Sequence, residues 1–143
     1  MNGVNNLFSG MRIAATGMSA ERVRIDTVSR NIASSAITKT ASGQPYRRQM
    51  VEFEPIVVQL GNGEQINAGV RVRAVRDDLS TPFERIHDPS HPDADASGWV
   101  SYPNVNTTRE MADLITAVRA YEANLSVQDS FVRMAERALR VAQ

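Results

Sequence analysis

From residue 107 to residue 143, apolar side chains recur in steps of three and four. Met111, Leu114, Val118, Tyr121, Leu125, Val132, Ala135, Leu139 and Ala142 form the series, with Gln128 as its one polar break. The stretch holds no Gly or Pro and is rich in Ala, Leu, Met, Glu and Arg, so propensity and heptad periodicity both predict one long helix. At ~1.5 Å per residue it would run roughly 55 Å, more than the diameter of a small domain, and so it needs partners along its length. A second, shorter heptad run over residues 6–35 uses Met11, Ala14, Met18, Glu21, Ile25, Val28 and Ile32, with Arg12, Arg22, Arg24, Asp26 and Arg30 off the stripe. Gly10 and Gly17 each weaken such a helix by about 1 kcal/mol relative to Ala. Gly17, beside Ala14, Ala15 and Ala20, reads either as a close approach by another backbone or as part of a frayed first turn.

Between the two helices the hydrophobic period falls from 3.6 to 2. Short strands are predicted at residues 48–54, 56–60, 70–74, 83–87 and 99–102, with Gly61-Asn62-Gly63 supplying turn chemistry. Residues 38–45 and the Pro- and Asp-rich segment after His87 are loop by composition. Thr107 with Glu110 three residues on has the form of a capping box at the start of the long helix. The expected architecture is therefore α+β. Long N- and C-terminal helices (1–36 and 106–143) pair as a coiled coil, and a small β-rich domain (37–105) is inserted between them. Its few strands and sparse apolar residues leave that insert only a small core of its own.

Composition narrows the function. The 143 residues suffice for about one domain, and sixteen basic residues balance sixteen acidic ones, so no net field recruits nucleic acid or an anionic membrane. There is no cysteine, which removes disulfides, thiolate metal sites and Cys nucleophiles together. No apolar run approaches the ~20 residues of a membrane span, so no direct membrane insertion is expected. The N-terminus lacks a basic segment followed by an apolar one, so no cleavable secretory signal is expected either.

Candidate chemistry is thin. Asp93-Ala94-Asp95-Ala96-Ser97-Gly98 has the first half of a calcium loop, but Asn104 stands where a bidentate Glu belongs, and a turn of Asx formers is the better reading. His87, Asp88, His91 and Asp93 lie close in sequence without a helical ligand motif and read as solvated loop residues. Arg71, Arg73 and Arg76, with Arg47 and Arg48, read as a solvated face before an acidic-partner site. The glycosylation triplets at Asn106 and Asn124 are of a kind common by chance. No nucleophile pairs with a base and no Gly-rich loop cradles phosphate, so neither catalysis, cofactor, metal nor small-molecule substrate is expected. What remains is apolar surface. Ile115, Val127, Phe131, Met134 and Ala138 widen the C-terminal stripe beyond what one partner helix covers, and this helix is expected to outrun the N-terminal one. Each larger side chain left in water forfeits ~1.5–3 kcal/mol, so burial between molecules is the favoured reading.

Specific strings then carry a resemblance. Gly17-Met18-Ser19-Ala20-Glu21-Arg22 with Asn31-Ile32-Ala33 resembles the N-terminal signature of bacterial flagellar rod and hook axial proteins. Gly43-Gln44-Pro45-Tyr46-Arg47-Arg48, the segment from Asp93 to Val100, Tyr102-Pro103-Asn104-Val105-Asn106, Glu110-Met111 and Arg119-Ala120-Tyr121-Glu122-Ala123-Asn124 look like the proximal-rod branch of that family. The resemblance covers nearly the whole chain. It departs at Ser34, where the family usually has a second Asn, and at Trp99, where Tyr is usual.

The resemblance implies a structural subunit of the basal-body proximal rod, exported unfolded through the flagellar export apparatus and assembled helically in the periplasm into a hollow, torque-transmitting shaft. It implies that paired terminal helices form the inner tube, with the β-rich part packed outside. Its partners would be other rod subunits and copies of itself. The expected assembly interface comprises Met11, Met18, Ile25, Val28, Asn31 and Ile32 from the first helix. From the second it takes Met111, Leu114, Val118, Tyr121, Asn124, Leu125, Val132 and Leu139. The reading from another class is a free-standing coiled-coil adaptor that binds one partner helix.

Overall fold

The computed structural model describes residues 2–59, 61 and 63–141. The chain runs α1 (Asn2–Ala33), β1 (Gln49–Gln59), β2 (Gln65–Asp77), β3 (Glu84–His87), β4 (Trp99–Tyr102) and α2 (Thr107–Val141). The two helices have 32 and 35 residues, so α2 outruns α1 by only three, because α1 reaches back to Asn2. They lie antiparallel: Gly10 faces Phe131, Gly17 faces Asn124, and Asn31 bonds Glu110.

The two helix glycines are points of close approach. A Cβ on Gly17 would sit 2.9–3.0 Å from the Asn124 amide, and one on Gly10 would run into the Phe131 ring. Seven residues apart, they open two successive notches on α1 for bulky α2 side chains, and this tertiary packing outweighs their low helix propensity. The expected capping box is not formed. The cap is Asn106, one residue earlier, whose Oδ1 accepts the Arg109 N–H at 3.0 Å and whose carbonyl accepts the Glu110 N–H at 2.9 Å. The Glu110 carboxyl is engaged elsewhere, by Arg48 and Asn31.

The expected strands at 48–54 and 56–60 are one strand, β1, running through Pro55 opposite Val70 of β2. A two-stranded ribbon has two free edges, so a residue without an N–H is tolerated there. Register shifts at Glu52/Phe53 and Ile56/Val57 leave Arg73 and Ala68 as the extra residues on β2. Leu60, and Asn62 of the expected turn, lie outside the described residues. β3 and β4 make a second, four-residue antiparallel pair.

Helix α1 is the spine of the molecule, packed against α2 and against both strands of the β1–β2 ribbon. Gly69, at φ +137°, is where the ribbon touches it: a Cβ there would collide with Thr16, whose hydroxyl accepts the Val70 N–H at 3.2 Å. The apolar core is made of small side chains, Ala14, Ala20, Val28, Ala68, Val100 and Ala117. Two of its three largest fully buried side chains are polar, Glu110 and Asn31.

Candidate assembly site

The buried polar residues Asn31, Asp78, Asn104 and Glu110 form one node that ties four segments together. Asn31, near the end of α1, uses every polar atom of its side chain. Its Nδ2 donates to Glu110 Oε2 and to the Gln49 carbonyl, both at 2.9 Å, and its Oδ1 accepts from Tyr46 Oη and from the Gln49 N–H, also at 2.9 Å. Burial pushes the Tyr46 hydroxyl above its ordinary value, which keeps it a donor. Arg48 Nε donates to Glu110 Oε1 at 2.6 Å, and its Nη1 and Nη2 lie 3.8 Å from Asp78 and Asp113. Asn104, just before α2, accepts the Arg48 N–H at 2.8 Å and donates to the carbonyls of Asp78 and Thr81, each at 3.0 Å. A charge-assisted network of this kind, with its members satisfied, fixes one arrangement of α1, the 46–49 segment, the end of β2 and the start of α2.

Asp78 has a second task. Its carboxylate accepts from both Ser80 and Thr81, hydroxyl and N–H alike, at 2.6–3.1 Å. Those bonds, the Ser80 and Thr81 hydroxyls foremost, hold its pKa well below the usual carboxylate range. Asp88 and Asp95 repeat the Asp-x-Ser turn with Ser90 and Ser97 and are also lowered, Asp88 chiefly by the Ser90 hydroxyl and Asp95 chiefly by the Trp99 N–H. A depressed folded pKa stabilises the fold above the unfolded value of about 4 and loses that contribution as pH falls through the folded value. Urea midpoints measured between pH 6 and 2 should therefore drop on the acid side, and more shallowly in Asp78→Asn; equal slopes would remove Asp78 from the account.

The other candidates resolve into local structure. Asp95 closes its turn by accepting from Ser97 and Trp99 N–H groups, as the Asx reading expects, whereas the Asp93 carboxylate accepts from the distant Thr38 at 2.7 Å. His87 meets Trp99 edge-on at 5.1 Å and His91 meets Tyr102 at 6.1 Å. Among the described residues no three His, Asp or Glu side chains form a metal-sized group. Arg71 and Arg76 pair across the ribbon with Glu54 and Glu52, a solvated ladder. No helix among the described residues is long and apolar enough to cross a membrane.

The expected interface residues separate into two sets. On α1, Val28 and Asn31 are buried and Met11, Met18, Ile25 and Ile32 are half-buried. On α2, Leu114, Tyr121 and Asn124 are half-buried, whereas Met111, Val118, Leu125, Val132 and Leu139 are 36–68 % exposed. The row of α2 that meets α1 is Glu110, Ala117, Asn124 and Phe131, one residue earlier at each step. One residue is about 100° on a helix, so the most apolar row of α2 is turned roughly a quarter of the way round from the face that meets α1. Ile115 widens that face, whereas Val127 and Met134, two residues beyond Leu125 and Val132, are exposed on the opposite side of the helix. Two amide or acid oxygens, Glu21 Oε2 and Gln128 Oε1, are buried without a hydrogen bond; the helix continues through Gln128, which is half-buried.

Arg48, Asp78, Asn104 and Glu110 were not among the expected site residues. Arg48, Asn104 and Glu110 each lie in a string that carried the family resemblance, whereas Asp78 lies in none. Comparison with known proteins agrees with that resemblance. Residues 96–141 match the family model described as the flagellar basal body rod FlgEFG protein C-terminal region. Over 96 % of its length the chain is 43 % identical to the flagellar basal-body rod protein FlgC of Borreliella burgdorferi, covering 98 % of that protein. It is 34 % identical to the same protein of Bacillus subtilis, over 95 % of this chain and 98 % of the relative, and 40 % identical to that of Aquifex aeolicus, over 84 % and 85 %. The reading as a free-standing adaptor finds no support among these relatives. Similarity at this level over 84–96 % of the chain means that it belongs to the FlgC family of flagellar basal-body rod proteins.

Proposed function

We propose that the chain is a proximal-rod building block, not an enzyme, and that it assembles through the outward row of α2. The observation that carries this reading is the row Met111, Val118, Leu125, Val132 and Leu139, apolar along the helix and left open by the chain's own fold. A contiguous apolar strip of that length on a soluble protein marks an interaction surface. Met11, Met18, Ile25, Val28, Ile32, Leu114 and Tyr121 then serve within the chain, holding α1 to α2 as a coiled coil. Asn31 serves there too, since all its hydrogen bonds are internal.

In this reading residues 1–36 and 106–143 form the tube of the rod and residues 37–105 its outer domain. The chain is exported by the flagellar export apparatus and is incorporated in the periplasm beside copies of itself and other rod subunits, giving a hollow shaft that transmits torque. A tagged copy should be recovered in purified basal bodies, and deletion should leave cells non-motile and without rods. Complete rods in the deletion strain would overturn the reading.

A further inference from the structure

The most exposed large apolar side chain among the described residues is Leu79, 79 % accessible. It is held out by a rigid turn. Asp78 accepts four hydrogen bonds from Ser80 and Thr81 just beyond Leu79, and the carbonyls of Asp78 and Thr81 are held by Asn104 at 3.0 Å. Arg47 also donates to the Asp78 carbonyl at 3.0 Å while its guanidinium lies 4.1 Å over the Phe83 ring. An apolar side chain so presented loses little freedom when it docks, which is the property of an anchor.

A matching hole exists elsewhere on the same chain. Where α1, the ribbon and α2 meet there is a groove of about 500 Å³ whose apolar wall is Ile13, Ala20, Phe53 and Val70. Gly17 and Gly69 lie on its wall, and Glu21 lies in it with Oε2 buried and without a hydrogen bond, Arg24 Nη1 being 3.7 Å away. Leu79 cannot fill its own groove. Its turn is fixed at the node beside Asn31, which is fourteen residues, roughly 21 Å of helix, from Gly17.

Charge selects the same occupant. Lys39 is the single lysine of the chain, is exposed, and has no ion pair among the described residues. The next residue, Thr40, borders the same hollow as Leu79.

We propose that Leu79 of one copy seats in the groove of a neighbouring copy, with Lys39 of the first facing Glu21 of the second. This rests on the rod reading and deepens it. Knob and hole are different surfaces, so the contact is head-to-tail and propagates instead of closing into a pair, as a helical shaft requires.

The absence of native cysteine makes the test clean. A chain carrying both Leu79→Cys and Ile13→Cys, oxidised within purified basal bodies, should give a ladder of disulfide-linked multimers, whereas each single variant should remain monomeric. Leu79→Ser, at a position too exposed to affect folding, should be incorporated roughly tenfold less than wild type, and Leu79→Met normally. Incorporation of the double variant without cross-links would overturn the contact and leave the rod reading standing. Dimers of the Leu79→Cys chain alone would also overturn it, by placing knob against knob. Absence of the wild-type chain from basal bodies would remove both readings.

Discussion

Glu110→Ala should cost the isolated chain about 3–5 kcal/mol, a large share of the stability of a domain this size. Glu110 is completely buried and its two oxygens bridge different parts of the molecule, Oε1 to Arg48 and Oε2 to Asn31. Removing the carboxyl strands the Arg48 guanidinium in a site where its remaining acids stand at 3.8 Å, and leaves a cavity beside an amide that has lost one acceptor. The same loss disconnects α1 from the start of α2 at the one place where a side-chain hydrogen bond among the described residues joins them. Glu110→Gln keeps the shape and one acceptor and should cost less, about 1–3 kcal/mol. Urea denaturation followed by helical circular dichroism measures both; an alanine variant within 1 kcal/mol of wild type would mean the node is ornamental.

The sequence made much of this fold legible. Periodicity located both helices, and alternation located the strands, because these signals are local. It did not show which row of α2 meets α1. Hydrophobicity alone ranks the row of Met111, Val118, Leu125 and Val132 above that of Glu110, Ala117, Asn124 and Phe131, yet the second row meets α1. Two things outweigh apolarity there. Gly10 and Gly17 let Phe131 and Asn124 approach closely, and Glu110 finds hydrogen-bonding partners in Arg48 and Asn31 that lie 62 and 79 residues away. Such long-range satisfaction of a buried acid has no local signature. Glu110 three residues after Thr107 mimicked a capping box for the same reason: the spacing was right, but the carboxyl had a stronger partner elsewhere. The paired glycines were the available clue, since two of them seven residues apart on a helix mark notches for side chains of a neighbouring helix. The node itself was visible only as motif. Asn31, Tyr46, Arg48, Asn104 and Glu110 are scattered across the chain, and each lies in a string that resembled the family.

Leu125→Asp should abolish incorporation into the rod and motility while leaving the isolated chain as stable as wild type, to within about 0.5 kcal/mol. Leu125 is 43 % exposed on the outward row, so a carboxylate there stays in water until a neighbouring subunit covers it. Assembly would then bury an unpaired charge, which an interface does not tolerate. Ala117→Asp supplies the contrast. Ala117 is fully buried on the inward row, level with the close contacts of α1, and a carboxylate there is both too large and unpaired, so the chain itself should fail to fold stably. The two substitutions introduce the same group eight residues apart on one helix, and they separate folding from assembly only if α2 really divides into an inner and an outer row. A Leu125→Asp chain that unfolds would put that row against α1, and one that assembles normally would show that the row is not an interface; either result would contradict the division. A melting curve of wild-type shape together with empty basal bodies is the outcome that the exposed row requires.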